Sequence, residues 1–282
     1  MQKRLIINLA LTLLLAILVL LSWFKPGINV EKPTLLTPLS LEEITQITIK
    51  PNNAKTITLV KINDNWRLTQ PISAPALPGK VERLLKISQI KTQANYPLDK
   101  DNLSQFGLDK PRLTLQFDHV ELQLGKTSTV DFYRYISNGK QLLLVDDTFI
   151  HLLNKQYNDY IDTRLLADNI QIIGLSTPSL DLVKKEDNSW EDLTNINKEI
   201  SSDTVHILLD EWRFARAIRV KAHSTLTPTQ WITLKLSDGA TLTYGLTKNK
   251  HDIILSSTEQ QLDYYFSADK FTKMTQRPQN NL

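Results

Sequence analysis

The two halves of this 282-residue chain show the same order of sequence features. In each half, an apolar run leads into a polar turn and a tryptophan, which is Trp66 in the first half and Trp190 in the second. At the same spacing, the apolar face of a predicted helix contains Leu84 and Leu85 in the first half and Leu208 and Leu209 in the second. A constant spacing of such features is typical of duplicated structural units. We therefore predict that these tryptophans and leucines occupy equivalent core positions.

Alternating apolar and polar residues dominate both halves, whereas patterns typical of helices are few and short. Residues 113–117 are one such strand pattern, and Asn138 followed by Gly139 is a strong signal for a β-hairpin. The sequence therefore predicts an α+β fold that contains two tandem repeated units with mainly antiparallel sheets. We place the first unit at residues 41–166 and the second, with a short C-terminal tail, at residues 167–282.

Residues 5–24 contain no charged side chain. A helix of this length would extend for about 30 Å, which matches the hydrocarbon core of a bilayer. Because no small-residue cleavage site precedes Lys25, we predict an uncleaved transmembrane helix and not a secretory signal. The basic residues Lys3 and Arg4 favour a cytoplasmic stub at residues 1–4.

The predicted helix also determines the expected location of the chain. It would lie in the inner (cytoplasmic) membrane as a single-pass protein, with a cytoplasmic N-terminus and a periplasmic or extracytoplasmic body. The lipid bilayer, contacted through residues 5–24, would be its first partner. Residues 25–40 contain three prolines and little periodicity, and so we predict an extended linker between membrane and body.

Charge and composition exclude several classes of function. The formal net charge of +3 comes from Lys3, Arg4 and Lys25, because the other 30 basic residues (33 less these three) balance 30 acidic ones. Nucleic acid is therefore not an expected partner, since its phosphates require an excess of basic side chains. The absence of cysteine excludes disulfides and Cys-based zinc sites.

The remaining motifs do not predict catalysis or cofactor binding. Gly125, Lys126 and Thr127 resemble the end of a phosphate-binding loop, but Val120 stands where that loop requires glycine, and so no nucleotide is expected. The five histidines show no pair at the spacing of metal ligands: His119, His151, His206, His223 and His251. We predict no catalytic, cofactor-binding or metal-binding residue and no cofactor.

A more specific set of residues lies in the first half of the chain. It consists of Trp66, Pro71, Phe106, Gly107, Leu108, Asp109, Pro111 and Gly125. Gly107 is expected to end one helical turn in a left-handed conformation, and Pro111 to precede the next strand. This set, which we call the signature, resembles the bacterial domain of unknown function 4340 family. That family typically has tyrosine at the position of Phe106.

The resemblance implies that the signature residues have structural roles, and for Phe106 it implies packing. It also implies a membrane-anchored extracytoplasmic protein that is found beside ABC-type export systems. The resemblance implies no catalytic or ligand-binding residue.

Two classes of function follow from these observations. We expect a non-enzymatic protein whose outer body scaffolds or docks onto an envelope complex, as an accessory component of an ABC-type export system. Its partners would be integral membrane or envelope proteins. The alternative is a periplasmic glycan- or peptide-binding protein or an envelope hydrolase. In that case a cleft would be lined by tyrosines near the end of the first unit: Tyr133, Tyr135, Tyr157 and Tyr160.

Overall fold

The computed structural model describes residues 2–23, 34–129, 131–168, 170–195, 200–224, 227–249 and 252–277. In the first helix, α1 (Gln2–Trp23), the side chains are described at Arg4 and at positions 6–20, and the apolar ones are exposed. Among the described residues, no helix is both long and apolar enough to cross a membrane. Residues 25–33 of the predicted linker and the predicted tail at 278–282 lie outside the described part of the chain.

The first unit contains a nine-stranded sheet within the described residues. Its strands are β1 (Gln46–Pro51), β2 (Ile57–Ile62), β3 (Asn65–Gln70), β4 (Ala74–Pro75), β5 (Ala94–Pro97), β6 (Leu113–Phe117), β7 (Val120–Thr127), β8 (Tyr133–Ser137) and β9 (Gln141–Asp146). Its α-helices are α2 (Pro78–Ile87), α3 (Leu103–Phe106) and α4 (Ile150–Leu153), with 3-10 turns at Lys100–Asn102 and Tyr157–Tyr160. The β8–β9 hairpin turns through Asn138 and Gly139, as predicted.

The second unit contains an eight-stranded sheet within the same described ranges. Its strands are β10 (Ile172–Thr177), β11 (Leu180–Lys184), β12 (Trp190–Asp192), β13 (Arg219–Ala222), β14 (Gln230–Leu236), β15 (Thr241–Lys248), β16 (Ile253–Ser257) and β17 (Leu262–Phe266). Its helices are α5 (Ser202–Arg213) and α6 (Ala268–Thr275).

The two sheets have the same strand order. The first runs β4-β3-β2-β1-β6-β7-β8-β9-β5 and the second runs β12-β11-β10-β14-β15-β16-β17-β13, so that only the short β4 has no counterpart among the described strands. The neighbouring strands in both sheets pair antiparallel. The chain is therefore α+β with two antiparallel sheets, and most of its elements are strands.

The residues that we predicted to be equivalent lie on corresponding elements. Trp66 is on β3 and Trp190 on β12, while Leu208 and Leu209 are buried on α5 as Leu84 is on α2. The tryptophans differ from the prediction in depth, because both are half-buried and pack against the rim of the core. Most of the buried apolar side chains of both units belong to one continuous core.

A lead-in segment before each unit also repeats. In the first unit, the Leu36 N–H donates to the Ile90 carbonyl at 2.8 Å; in the second, the Leu165 N–H donates to the Ala215 carbonyl at 3.3 Å. Leu36 is 3% exposed, and so this end of the predicted 25–40 linker belongs to the folded body. These pairings lie between α2 and β5, which begins at Ala94, and between α5 and β13, which begins at Arg219.

Candidate functional site

Three signature residues form a tight turn that packs on the first sheet. Gly107 ends α3 with a φ of 66°, a left-handed conformation that glycine adopts without strain. The Phe106 ring lies 5.0 Å from the ring of Tyr135 on β8, measured between centroids, and Leu108 is buried. These contacts are packing contacts between α3 and the sheet.

Gly125 on β7 allows this turn to approach the sheet closely. A Cβ at position 125 would lie 2.2 Å from the carbonyl oxygen of Phe106 and 3.2 Å from the side chain of Leu108. The β7–β8 pairing shifts register between Leu124 and Thr127, and the Gly125 carbonyl accepts a hydrogen bond of 2.6 Å from Nη1 of Arg134. A residue with a side chain therefore does not fit at position 125 unless α3 or β7 moves.

Arg134 forms a buried ion pair beside Gly125. Its side chain is 4% exposed, and its Nε and Nη2 donate to Oδ1 and Oδ2 of Asp147, each at 2.6 Å. Nη2 also donates to Oγ1 of Thr127 at 3.0 Å. All three guanidinium nitrogens thus have acceptors, which is the condition under which a buried charge is tolerated. We call the signature turn together with this ion pair the clasp.

The other signature residues lie at the ends of strands. Pro71 follows β3 after a cis peptide bond to Gln70, and half-buried Pro111 precedes β6. Asp109 is exposed, and its carboxylate makes no hydrogen bond with any group that the structure describes. Trp66 faces a different region, the boundary between the two units.

A short connector joins the sheets of the two units. Residues 160–162 pair with the end of β4 and residues 163–165 pair with the segment before β13, through the bridges Ala76 to Ile161 and Arg164 to Arg216. The Leu77 N–H donates to the Tyr160 carbonyl at 2.7 Å. Because the connector pairs on both sides, an edge of each sheet is covered at the boundary.

A cleft with a volume of about 490 Å³ lies at this boundary, and we call it the seam cleft. It is lined by residues 64–67, Pro75, Ala76 and Pro78 of the first unit, by Asp162 and residues 164–167 of the connector region, and by Gln260 and Tyr264 of the second unit. The lining includes aromatic rings, ionic groups and the two amides of Asn65 and Gln260. Such a surface can contact a polar partner and also bury part of an apolar side chain.

An ion network supports one wall of the seam cleft. The Arg164 Nε donates to Oδ2 of Asp162 at 2.7 Å, and its Nη1 donates to Oδ2 of Asp168 at 2.6 Å. These hydrogen bonds raise the pKa of the Arg164 guanidinium, and the one to Asp162 has a larger effect than the one to Asp168. Asp162 is 6% exposed and its N–H also donates to the Pro75 carbonyl, so the network holds the connector against the first unit.

Tyr264 of the second unit also lines the seam cleft. Burial, and to a lesser extent the negative charge of Asp162, raise the pKa of Tyr264 to about 12, although Arg67 acts in the opposite direction. The Tyr264 hydroxyl donates to Oε1 of Gln260 at 2.6 Å. The phenol is therefore neutral at physiological pH and serves as a packed wall with a polar rim.

The side chains of Trp66 and Arg67 retain hydrogen-bonding capacity at the mouth of the seam cleft. The Trp66 indole N–H has no acceptor among the described residues, and the Arg67 guanidinium has one long contact, 3.4 Å from Nη2 to Oγ of Ser73. Tryptophan and arginine are the residue types that contribute most often to the centres of protein interfaces. This pair is the main chemical feature of the cleft.

Comparison with protein families identifies a family to which the chain is similar. A family model described as a domain of unknown function, DUF4340, matches residues 66–233, from Trp66 through the clasp and connector and into β14. The chain belongs to the DUF4340 family. Comparisons with curated proteins and with solved structures give no match. The resemblance inferred from the signature residues is thus confirmed.

The four tyrosines predicted to line a cleft in this DUF4340 protein are mainly packing residues. Tyr160 is fully buried, burial raises its pKa, and its hydroxyl donates to the Leu152 carbonyl at 2.6 Å. Tyr135 contacts the Phe106 ring, Tyr157 packs against the core, and Tyr133 is half-buried on β8.

A hydrogen-bonded cluster that was not predicted from the sequence surrounds Asp263, a completely buried carboxylate on β17. Its Oδ1 lies 2.9 Å from Nδ1 of His223, and its Oδ2 accepts hydrogen bonds of 2.9 Å and 2.6 Å from the N–H and hydroxyl of Ser224. The residues are about 40 positions apart in sequence, and so no local pattern indicated them. Within the described ranges, no group of three or more potential ligands could hold a metal ion.

The Asp263 cluster leads to a prediction about acid stability. Burial raises the pKa of Asp263, but the hydrogen bonds, led by those from Ser224, outweigh burial and lower its pKa below the ordinary 3.8. The stability it contributes is therefore present above pH 3.8 and lost as the pH falls through the lower pKa of the folded state. Compared with the unaltered chain, Asp263→Asn should be less stable near neutral pH and lose less stability on acidification.

Urea denaturation at about pH 7 and at pH values around and below the ordinary carboxyl pKa would measure this difference. Asp109→Asn is the matched control, because it removes an exposed carboxylate that makes no hydrogen bond in the described residues. If Asp263→Asn and the unaltered chain lost the same stability on acidification, this result would contradict the lowered pKa of Asp263.

Proposed function

We propose that this chain is a non-enzymatic, single-pass membrane protein whose outer body docks onto an envelope complex. The observation that carries the proposal is the apolar surface of α1, where Leu9 is 71% exposed and Leu15 is 65% exposed. Lipid that covers an apolar helical surface of this kind stabilises it, because the apolar side chains are removed from water. Lys3 and Arg4 favour a cytoplasmic N-terminus in the inner membrane, with the two sheets on the opposite side.

We propose the seam cleft as the docking surface of the body. It presents Trp66 and Arg67 with unused hydrogen-bonding capacity, and the connector network holds the wall beside them. A tether to the membrane raises the effective concentration of the body near a membrane partner, so that a small docking surface suffices. The partner we propose is an integral membrane subunit of an ABC-type exporter, the context implied by the family resemblance.

Alkaline carbonate extraction tests the membrane anchor. The full-length chain should remain with the membrane pellet, because a helix inserted in lipid resists a treatment that removes peripheral proteins. Protease added to spheroplasts, in which the outer membrane is opened and the inner membrane is still sealed, should digest the body. Release of the chain by carbonate, or protection of the body from protease, would contradict the proposed anchor and orientation.

Copurification of the full-length chain from membranes in a mild detergent tests the docking surface. Trp66→Ala and Arg67→Ala should each reduce the recovery of an exporter membrane subunit by about tenfold or more, as expected for residues at the centre of an interface. Trp231→Ala is the matched control, because Trp231 is 53% exposed on β14 and does not line the seam cleft. Circular dichroism would establish that each variant is folded.

Unchanged recovery with both seam variants would exclude the cleft as the docking site. Recovery of no integral membrane protein by the unaltered chain would contradict the scaffold function as a whole.

A further inference from the structure

A polar groove lies on the first unit, away from the residues that line the seam cleft. Its volume is about 750 Å³, and it is formed where β1 ends and β6 begins, beside the segment that follows α4. The groove is lined by Pro51, Asn52, Asn53, Ala54, Arg112, Leu113, Leu153, Asn154, Lys155, Gln156, Asn158 and Asp159. Five of these side chains are amides, and we call this site the amide groove.

Most of the amide side chains in the groove make no hydrogen bond with other described groups of the protein. The side chains of Asn52, Asn53 and Asn154 are exposed and make no hydrogen bond with other described groups. The Oδ1 atom of Asn158 is buried and lacks a donor among the described residues. The Asn158 oxygen is itself covered by protein, and so the amides available to a ligand are the exposed ones at Asn52, Asn53 and Asn154.

The groove also contains two cations without internal partners. Arg112 and Lys155 form no ion pair with the carboxylates that the structure describes, and Arg112 is exposed beside β6. The carboxylate of Asp159 already accepts the Gln156 N–H at 2.9 Å. The cations therefore outnumber the anions, and the groove favours a ligand that has negative charge.

We propose that the amide groove binds an acidic oligosaccharide. A side-chain amide offers a donor and an acceptor at one planar end, which matches the neighbouring hydroxyls of a sugar ring. Arg112 and Lys155 would pair with the carboxylates of the ligand, and the amides with its hydroxyls. The volume of the groove lies within the range of small-ligand sites.

A peptide fits the amide groove less well than a saccharide. Peptides are commonly bound by a free sheet edge whose backbone groups are unpaired. The amide groove is formed at strand ends, where the Asn52 N–H already donates to the Arg112 carbonyl at 3.3 Å. Its apolar residues are also few, and Leu113 and Leu153 belong to the buried core, so that pockets for peptide side chains are missing from this lining.

Isothermal titration calorimetry on the full-length chain would test the proposal. The detergent should be a polyoxyethylene ether, because maltoside and glucoside headgroups are themselves saccharides. The probes are trigalacturonate, neutral maltotriose and a short peptide of alternating alanine and glutamate. We expect trigalacturonate to bind at least about tenfold more tightly than the other two, because it offers both carboxylates and hydroxyls.

Two variants and one control locate the site. Arg112→Gln and Asn154→Ala should each weaken trigalacturonate binding by about tenfold, and both positions are exposed, so that folding should be maintained. Arg83→Gln removes an exposed arginine on α2 outside the groove and should leave binding unchanged. The absence of saccharide binding, tighter binding of the peptide, or unaltered affinity in both groove variants would overturn the proposal. None of these outcomes bears on docking at the seam cleft.

Discussion

Arg134→Met should lower the free energy of unfolding by about 3 to 5 kcal/mol, the cost typical of leaving one member of a buried ion pair without its partner. Arg134 is 4% exposed and binds both carboxylate oxygens of Asp147. Methionine retains much of the apolar volume but leaves the Asp147 carboxylate without its cation. It also removes the donor to the Gly125 carbonyl. Urea denaturation of the full-length chain in detergent, followed by tryptophan fluorescence, would measure the change.

Lys86→Met is the matched control for the buried ion pair. Lys86 pairs with Glu82 at 2.7 Å on the surface of α2, where both side chains are more than 60% exposed. Loss of this exposed pair should change stability by about 0.5 kcal/mol or less. The double variant Arg134→Met/Asp147→Leu should be more stable than Arg134→Met alone, because no unpaired charge remains buried. Equal effects of Arg134→Met and Lys86→Met would contradict a structural role for the clasp.

Gly125→Ala should also be strongly destabilising, by about 3 kcal/mol, the upper end of the usual range for overpacking. The added Cβ would lie 2.2 Å from the backbone oxygen of Phe106, a contact that side-chain rotation does not relieve. Either α3 must move away from β7, which breaks the contacts of Phe106 and Leu108, or the strand must shift. The same denaturation experiment would detect the loss.

Gly79→Ala provides the control for the added methyl group. A Cβ at Gly79, in the first turn of α2, meets no atom within 4 Å, and alanine has the higher helix propensity. This variant should be as stable as the unaltered chain or slightly more stable. A similar stability of Gly125→Ala and Gly79→Ala would show that α3 adapts easily and that Gly125 is not required for packing.

These variants distinguish the structural role of the clasp from the binding roles proposed for the two surfaces. The clasp residues contact one another inside the first unit, whereas the seam cleft and the amide groove present side chains to solvent. Substitutions in the clasp should therefore reduce docking only through loss of folded protein. Substitutions at Trp66, Arg67 or Arg112 should reduce binding while the fold is retained.

Several elements could be predicted from the sequence because they depend on near neighbours. The strand at Leu113–Phe117 follows from its alternation, and the hairpin turn at Gly139 follows from the preference of Asn-Gly for positive φ. The left-handed end of α3 at Gly107 follows in the same way. The corresponding positions of Trp66 and Trp190 could be predicted because a constant spacing reports a repeated unit.

Other features depend on residues that are distant in sequence. The pairing of Leu36 with Ile90 leaves no local signal, and so the sequence around Leu36 predicted a linker. The same reason explains why the Asp263 cluster and the amide groove were not predicted: their members come from segments that meet only in the folded chain. The half-buried depth of Trp66 likewise depends on its neighbours across the seam.

By itself, the sequence determined the alternation of strands, the places of the turns, the repeated order of elements and the charge balance of the body, because each depends on spacing or composition alone. Only the tertiary structure decided which strands are neighbours, how the connector covers both sheet edges, and which polar side chains remain without partners. Those features arise from long-range packing and hydrogen bonding, in which the partner of a residue is selected by the whole fold.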